Sequence, residues 1–126
     1  MRTIALFILF LFAGILAQAQ KSDWDQRLES AYTVKELTEM KKSDPSKLAF
    51  LNAVATKGWV IMDLPSEKGS ATEIRGSITV PDQKNVNLFA LNLFPEKTNW
   101  QYYRISGTDK MLVVYSEDHI RSQMNK

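Results

Sequence analysis

The chain of 126 residues contains no cysteine and one histidine, His119. Without thiols there is no disulfide, no thiolate nucleophile and no Cys-ligated metal. With one imidazole, a multi-histidine zinc or copper site cannot be assembled. A Ser-His-Asp triad would have to recruit His119, which falls just inside an expected helix, and no Gly-x-Ser-x-Gly elbow occurs to present the serine. His119 therefore reads as an exposed helix residue. Glycine and proline are scarce, five and four, and no glycine-rich loop ends in Gly-Lys-Ser/Thr, so no phosphate cradle and no cofactor are expected. Sixteen basic residues face 14 acidic ones with no run of five like charges. Nucleic-acid binding by counterion release needs a basic stripe, which this chain lacks.

One long hydrophobic run is present, at the N-terminus. Arg2 is followed by the uncharged segment Ile4–Ala17, then by Ala17-Gln18-Ala19. A short cationic start, an apolar stretch and a small-x-small site predict a cleaved secretory signal peptide over residues 1–19, with Gln20 as the new N-terminus. The run is shorter than the roughly 20 apolar residues of a spanning helix, so no stable membrane anchor is expected after cleavage. The absence of cysteine also excludes a lipid-modified N-terminus. The expected location is periplasmic or secreted.

Residues 20–32 read as an N-terminal arm or short helix, because Trp24, Leu28 and Tyr32 recur at helical spacing. Residues 33–126 read as a single domain. Thr33-x-x-Glu36 has capping-box spacing, and Tyr32 and Leu37 have the spacing of a hydrophobic staple. A helix follows to about Lys42. Asp44-Pro45 restarts the chain as an N-cap with proline at the first helical position. The second helix carries the stripe Leu48, Leu51, Ala55 and ends at Lys57, with Gly58 as an expected left-handed C-cap. The pair reads as packing, since its second helix carries no arginine for DNA.

Beyond Gly58 the period changes from 3.6 to 2. Trp59–Leu64 predicts a strand closed by Pro65. In residues 72–80, "TEIRGSITV", Ile74, Ile78 and Val80 alternate with polar residues, the pattern of a sheet with one dry and one wet face, and Gly76 marks a bulge or a close approach. Residues 86–94, "VNLFALNLF", predict a central strand. Two more strands, 100–106 and 110–116, flank Gly107-Thr108-Asp109, a hairpin loop with glycine available for a positive φ. Ser116-Glu117-Asp118 then caps a C-terminal helix. The expected fold is α+β: an N-terminal helical pair and a C-terminal helix packed on a roughly five-stranded antiparallel meander.

Alternation places Trp100, Tyr102 and Arg104 together on one strand face, opposite Tyr103 and Ile105. Aromatic rings in a row stack on sugars, proline rings or partner side chains, and arginine holds a carboxylate. These three residues are the candidate partner or ligand face. Asp23/Asp25 and Glu117/Asp118 are the acidic pairs from which a glycoside-hydrolase arrangement would have to be drawn.

Asp44–Pro65, "DPSKLAFLNAVATKGWVIMDLP", and Tyr102–Ser116, "YYRISGTDKMLVVYS", resemble small signal-bearing exported proteins of Gram-negative bacteria that carry no assigned function. The resemblance implies export and a single small domain, and it hands over no catalytic residue. At the level of fold, two helices followed by a meander resemble the helix–helix–sheet modules of β-lactamase inhibitor proteins and outer-membrane-assembly lipoproteins, which bind other proteins. The resulting expectation is a non-enzymatic binding or accessory protein of the cell envelope, with another envelope or secreted protein as partner. The alternatives are a small-molecule or glycan binder using the aromatic face, and a small hydrolase using an acidic pair.

Overall fold

The computed structural model describes residues 23–65 and 73–125. The expected signal peptide, its Ala17, Ala19 and Gln20, and the first residues of the arm lie outside them. Within the described residues, a 3₁₀ helix (Gln26–Ser30) leads to α1 (Val34–Ser43), α2 (Pro45–Lys57) and β1 (Trp59–Asp63). Then come β2 (Ile74–Ile78), β3 (Gln101–Ile105), β4 (Lys110–Val114) and α3 (Glu117–Met124). No helix among the described residues is long and apolar enough to cross a membrane. The class is α+β, as expected.

The helix starts follow their local chemistry. The Glu36 amide donates to Thr33 Oγ1 at 3.1 Å and the Thr33 amide donates to Glu36 Oε1 at 3.0 Å, a closed capping box. Asp44 alone separates α1 from α2, and its carboxylate accepts from the Lys47 amide with Pro45 at the first turn. Ser116 caps α3 by accepting from the His119 amide. α2 is buried on more than its predicted stripe: Leu48, Phe50, Leu51, Ala53, Val54 and Ala55 are all inside. It is the hydrophobic axis against which the other helices and β1 pack.

Gly58 departs from expectation. Its φ is −81° and its ψ 1°, so the cap is not left-handed. Space, rather than conformation, calls for glycine here. A Cβ at this position would lie 2.5 Å from the Val54 carbonyl oxygen, because the chain folds tightly over the end of α2 into β1. The glycine with the left-handed backbone is Gly107, at φ +77° in the β3–β4 hairpin, as its loop predicts.

The sheet has four strands in the order β1-β4-β3-β2, and it is mixed. β1 and β3 both run antiparallel to β4, whereas β2 runs parallel to β3. The expected five-stranded antiparallel meander is corrected on both counts, and one cause explains both. Residues 86–94 form no strand. Asparagine side chains and local backbone bonds take the place of a ladder there: Asn87 Oδ1 accepts from the Ala90 amide, the Leu91 amide donates to Asn87 O and the Leu93 amide to Leu88 O, and Asn92 sits at φ +59°. Such bonds offer the backbone an alternative to a sheet. With that strand gone, β2 and β3 become neighbours. The intervening residues 79–100 form the crossover that a parallel pair requires. Val86 and Leu88 still reach the core, as a knot of turns instead of a strand.

β2 also departs from simple alternation. Its register with β3 shifts between Ile74 and Ser77, so Ile74 is 39% exposed while Ile78 and Val80 pack on the core. The bulge read from Gly76 lies there. The glycine itself has open space around it, so close packing is not its reason.

The arm is docked. Trp24 and Leu28 belong to the same core as α2 and the sheet. Asp25 stitches it in place. Its amide donates to Asn52 Oδ1 at 2.7 Å, and its carboxylate accepts from Arg27 Nε and Nη2, both at 2.9 Å. Arg27 Nη1 donates in turn to the Val86 carbonyl. The Arg27 hydrogen bonds hold the Asp25 carboxyl below its ordinary value of 3.8, against a smaller opposing effect of burial. A carboxylate depressed by folding stabilises the native state above its unfolded pKa, and that contribution is lost as pH falls through the folded pKa. We expect Asp25→Asn to cost about 1 kcal/mol at pH 7. In urea unfolding of both proteins, that gap should close as pH is lowered below about 3.8. A gap that persists undiminished at pH 2 would show that the charge on Asp25 is not what holds the arm.

Candidate functional site

Among the described residues, the helices pack on one face of the sheet. The core cluster joins α1, α2 and α3 to Trp59, Ile61, Ile78, Tyr103, Ile105, Leu112 and Val114, all on the inner face. Val60, Met62, Tyr102, Met111 and Val113 are outside that cluster, on the outer face.

Register arranges the outer face in rows. Val60 and Tyr102 each pair with Val113, and Ile74 pairs with Tyr102, so Val60–Val113–Tyr102–Ile74 crosses all four strands. The next row is Met62–Met111–Arg104–Ser77. Residues opposite each other on a ladder share a face. Seven of these eight positions are apolar, aromatic or cationic, and no carboxylate interrupts them. Met111 and Val113 are buried, Tyr102 is half-buried, Arg104 is exposed and Met62 is 49% exposed.

A group of rings stands at one end of the sheet. Trp100 precedes β3 and Tyr115 follows β4, and their ring centroids are 4.8 Å apart, edge to face. His119, from the first turn of α3, lies 5.1 Å from Trp100 and 4.5 Å from Tyr115. Trp100 keeps 39% of its surface in water while gripped by two rings. It is thus an exposed aromatic with little rotamer freedom. His119 is half-buried in this cluster, which corrects its reading as an exposed helix residue. The capped start of α3 turns its ring back onto the sheet.

Tyr102 and Arg104 share the outer face by register, and Trp100, one residue before β3, is open to solvent beside Tyr115 and His119. Tyr115 and His119 were missed as members. The signal for Tyr115 was available: extending the hairpin pairing outward from Gly107 puts it opposite Trp100. Nothing local signals His119, because a helix and a sheet end meet there.

The four acidic residues of the candidate pairs are each tied to a cation. Asp23 pairs with Lys41, Asp25 with Arg27, Asp118 with Lys97 and Glu117 with Arg121, at 2.8–3.0 Å. A general acid needs its pKa raised, whereas that of Asp25 is lowered. Among the described residues no group of three or more His, Cys, Asp or Glu is placed to hold a metal ion.

Among the described residues, clefts lie beside Asn85 and Asn87, beside Asn52 and Thr56, and between Phe50 and Phe94. None of the three includes Trp100, Tyr102 or Arg104. In comparison with known proteins, the chain matches no family model, no curated protein and no solved structure.

Proposed function

We propose that this protein is an exported, non-enzymatic binding module that engages another envelope or secreted protein through the outer face of its sheet. The N-terminal pattern around Ile4–Ala17 supports export. The observation that carries the binding reading is Trp100, 39% exposed yet gripped by Tyr115 and His119 at the end of the strand that carries Tyr102 and Arg104. Tryptophan, tyrosine and arginine are the residue types that dominate interface energetics. A ring already fixed by its neighbours loses little entropy when a partner covers it. Buried Met111 and Val113 give the face a dry floor, and Arg104 supplies one charge for orientation.

The test is an in-culture crosslink and pulldown of the wild-type chain beside Trp100→Ala/Tyr102→Ala/Arg104→Ala and beside Arg104→Ala alone. Circular dichroism checks the folding of each. Arg104 is exposed, so its truncation should change stability by no more than about 0.5 kcal/mol. A partner protein captured by the wild type should be reduced at least about tenfold with the folded triple variant, since loss of an interface anchor costs upwards of 2 kcal/mol. The single variant should fall between the two. Equal capture by all three folded proteins would rule this face out.

A further inference from the structure

The cleft between α2 and α3 is built differently from the other two. Its volume is about 560 Å³, within the range of small-molecule sites. Phe50 and Leu51, both buried, form the floor, and Tyr32 and Phe94 stand in the walls. The aromatic rings form a chain in edge-to-face contact: Tyr32 to Phe89, Phe89 to Phe94 and Phe94 to Phe50, with centroids 6.3–6.4 Å apart.

Phe94 is 49% exposed, yet its backbone is anchored. The side chain of Gln101, buried in β3, donates to the Phe94 carbonyl at 2.8 Å. Tyr103 donates its hydroxyl proton to Gln101 Oε1 at 2.6 Å, and Pro95 follows directly. A buried polar relay of this kind holds a phenylalanine whose ring remains half in water. A lone exposed apolar residue needs no explanation. One fixed at the mouth of an aromatic-lined cleft forms a wall.

Two cations stand at the rim. The Arg121 guanidinium lies 4.1 Å from the Phe50 ring centroid. Glu117 takes only its Nε, at 3.0 Å, which leaves the N–H groups of the two terminal nitrogens for another acceptor. Lys47 makes no ion pair among the described residues and lines the same cleft. The two carboxylates at the cleft are already engaged, Asp44 by the Lys47 amide and Glu117 by Arg121. Their charge penalises a polyanion more than a single negative group.

The geometry points to a second binding site here, for a small amphipathic monoanion. Its aromatic or acyl body packs against Phe94, Phe50 and Tyr32, and its carboxylate is received by Arg121 and Lys47. The site shares no lining residue with the proposed protein-binding face.

The test uses 2-naphthylacetate as probe and its uncharged alcohol, 2-(2-naphthyl)ethanol, as control, each titrated into the isotopically labelled full chain and followed by amide chemical shifts. The expected result is saturable shifts at Phe94, Phe50, Lys47 and Arg121 with a Kd of about 1 mM or tighter, and binding of the alcohol about tenfold weaker. Phe94→Ala should weaken both probes at least tenfold while the rest of the amide spectrum stays in place. Lys47→Gln should weaken the carboxylate alone. Absence of saturable shifts at these amides, or shifts confined to other segments, would overturn the site. Equal affinity for acid and alcohol would overturn the assignment of an anionic ligand. Neither result bears on the outer sheet face, whose amides report separately.

Discussion

Replacing Leu112 by alanine is expected to destabilise the protein by about 2–5 kcal/mol, a large share of the 5–15 kcal/mol available to a small domain. Leu112 lies in β4, an inner strand with paired neighbours on both sides, Ile61 on β1 and Tyr103 on β3. It is fully buried in the cluster that joins sheet to helices. Packed ladders on both sides prevent the strand from collapsing into the space left by the lost carbons, so the cavity persists and adds to the lost burial. No disulfide stands in reserve, because the chain has no cysteine. The measurement is the urea midpoint with the slope unchanged. A loss below about 1 kcal/mol would mean that this position can relax, and that the sheet is less tightly packed against α2 than its burial indicates.

Gly58→Ala should cost about 1–3 kcal/mol through steric conflict. The new methyl carbon would meet backbone at 2.5 Å from Val54 O and 3.0 Å from Val54 Cα. Backbone cannot swing aside as a flexible side chain does, so either the last turn of α2 or the start of β1 must move. The displacement has a functional consequence. The Gly58 carbonyl accepts from the Tyr115 amide at 2.9 Å, and Tyr115 is one of the two rings that grip Trp100. Near-ultraviolet circular dichroism should therefore change along with the urea midpoint. Gly58→Asn separates the two reasons for a glycine. Asparagine tolerates a left-handed cap but not this close approach, so it should be no better than alanine. If asparagine restored wild-type stability, the cap would be left-handed after all.

These two positions show where local and tertiary causes divide. The helix boundaries at Thr33, Asp44 and Ser116 were legible because each cap is a bond between residues three apart, and no distant group can compete for it. The β3–β4 hairpin was legible for the same reason, through Gly107 and the alternation on either side of it. The common face of Tyr102 and Arg104 followed from the two-residue period alone.

Residues 86–94 were misread because alternating apolar residues satisfy a strand and a buried knot of turns equally well. The decision lay with Asn87 and Asn92, whose local bonding and left-handed backbone broke the ladder. The parallel pairing of β2 with β3 then followed from a strand that is not there, which no reading of either strand by itself could reveal. The cleft at Phe94 draws on the turn before α1, on α2, on the crossover and on α3, segments unrelated in sequence.

The sequence by itself determined the class of the fold, the helix ends, the hairpin and the absence of thiol chemistry, since these depend on residue types and on contacts within a few positions. Only the tertiary structure decided strand order, the reason for Gly58, the grip of Tyr115 and His119 on Trp100, and the aromatic cleft. Each of those is a contact between distant segments, and its free energy exists only once the core has brought them together.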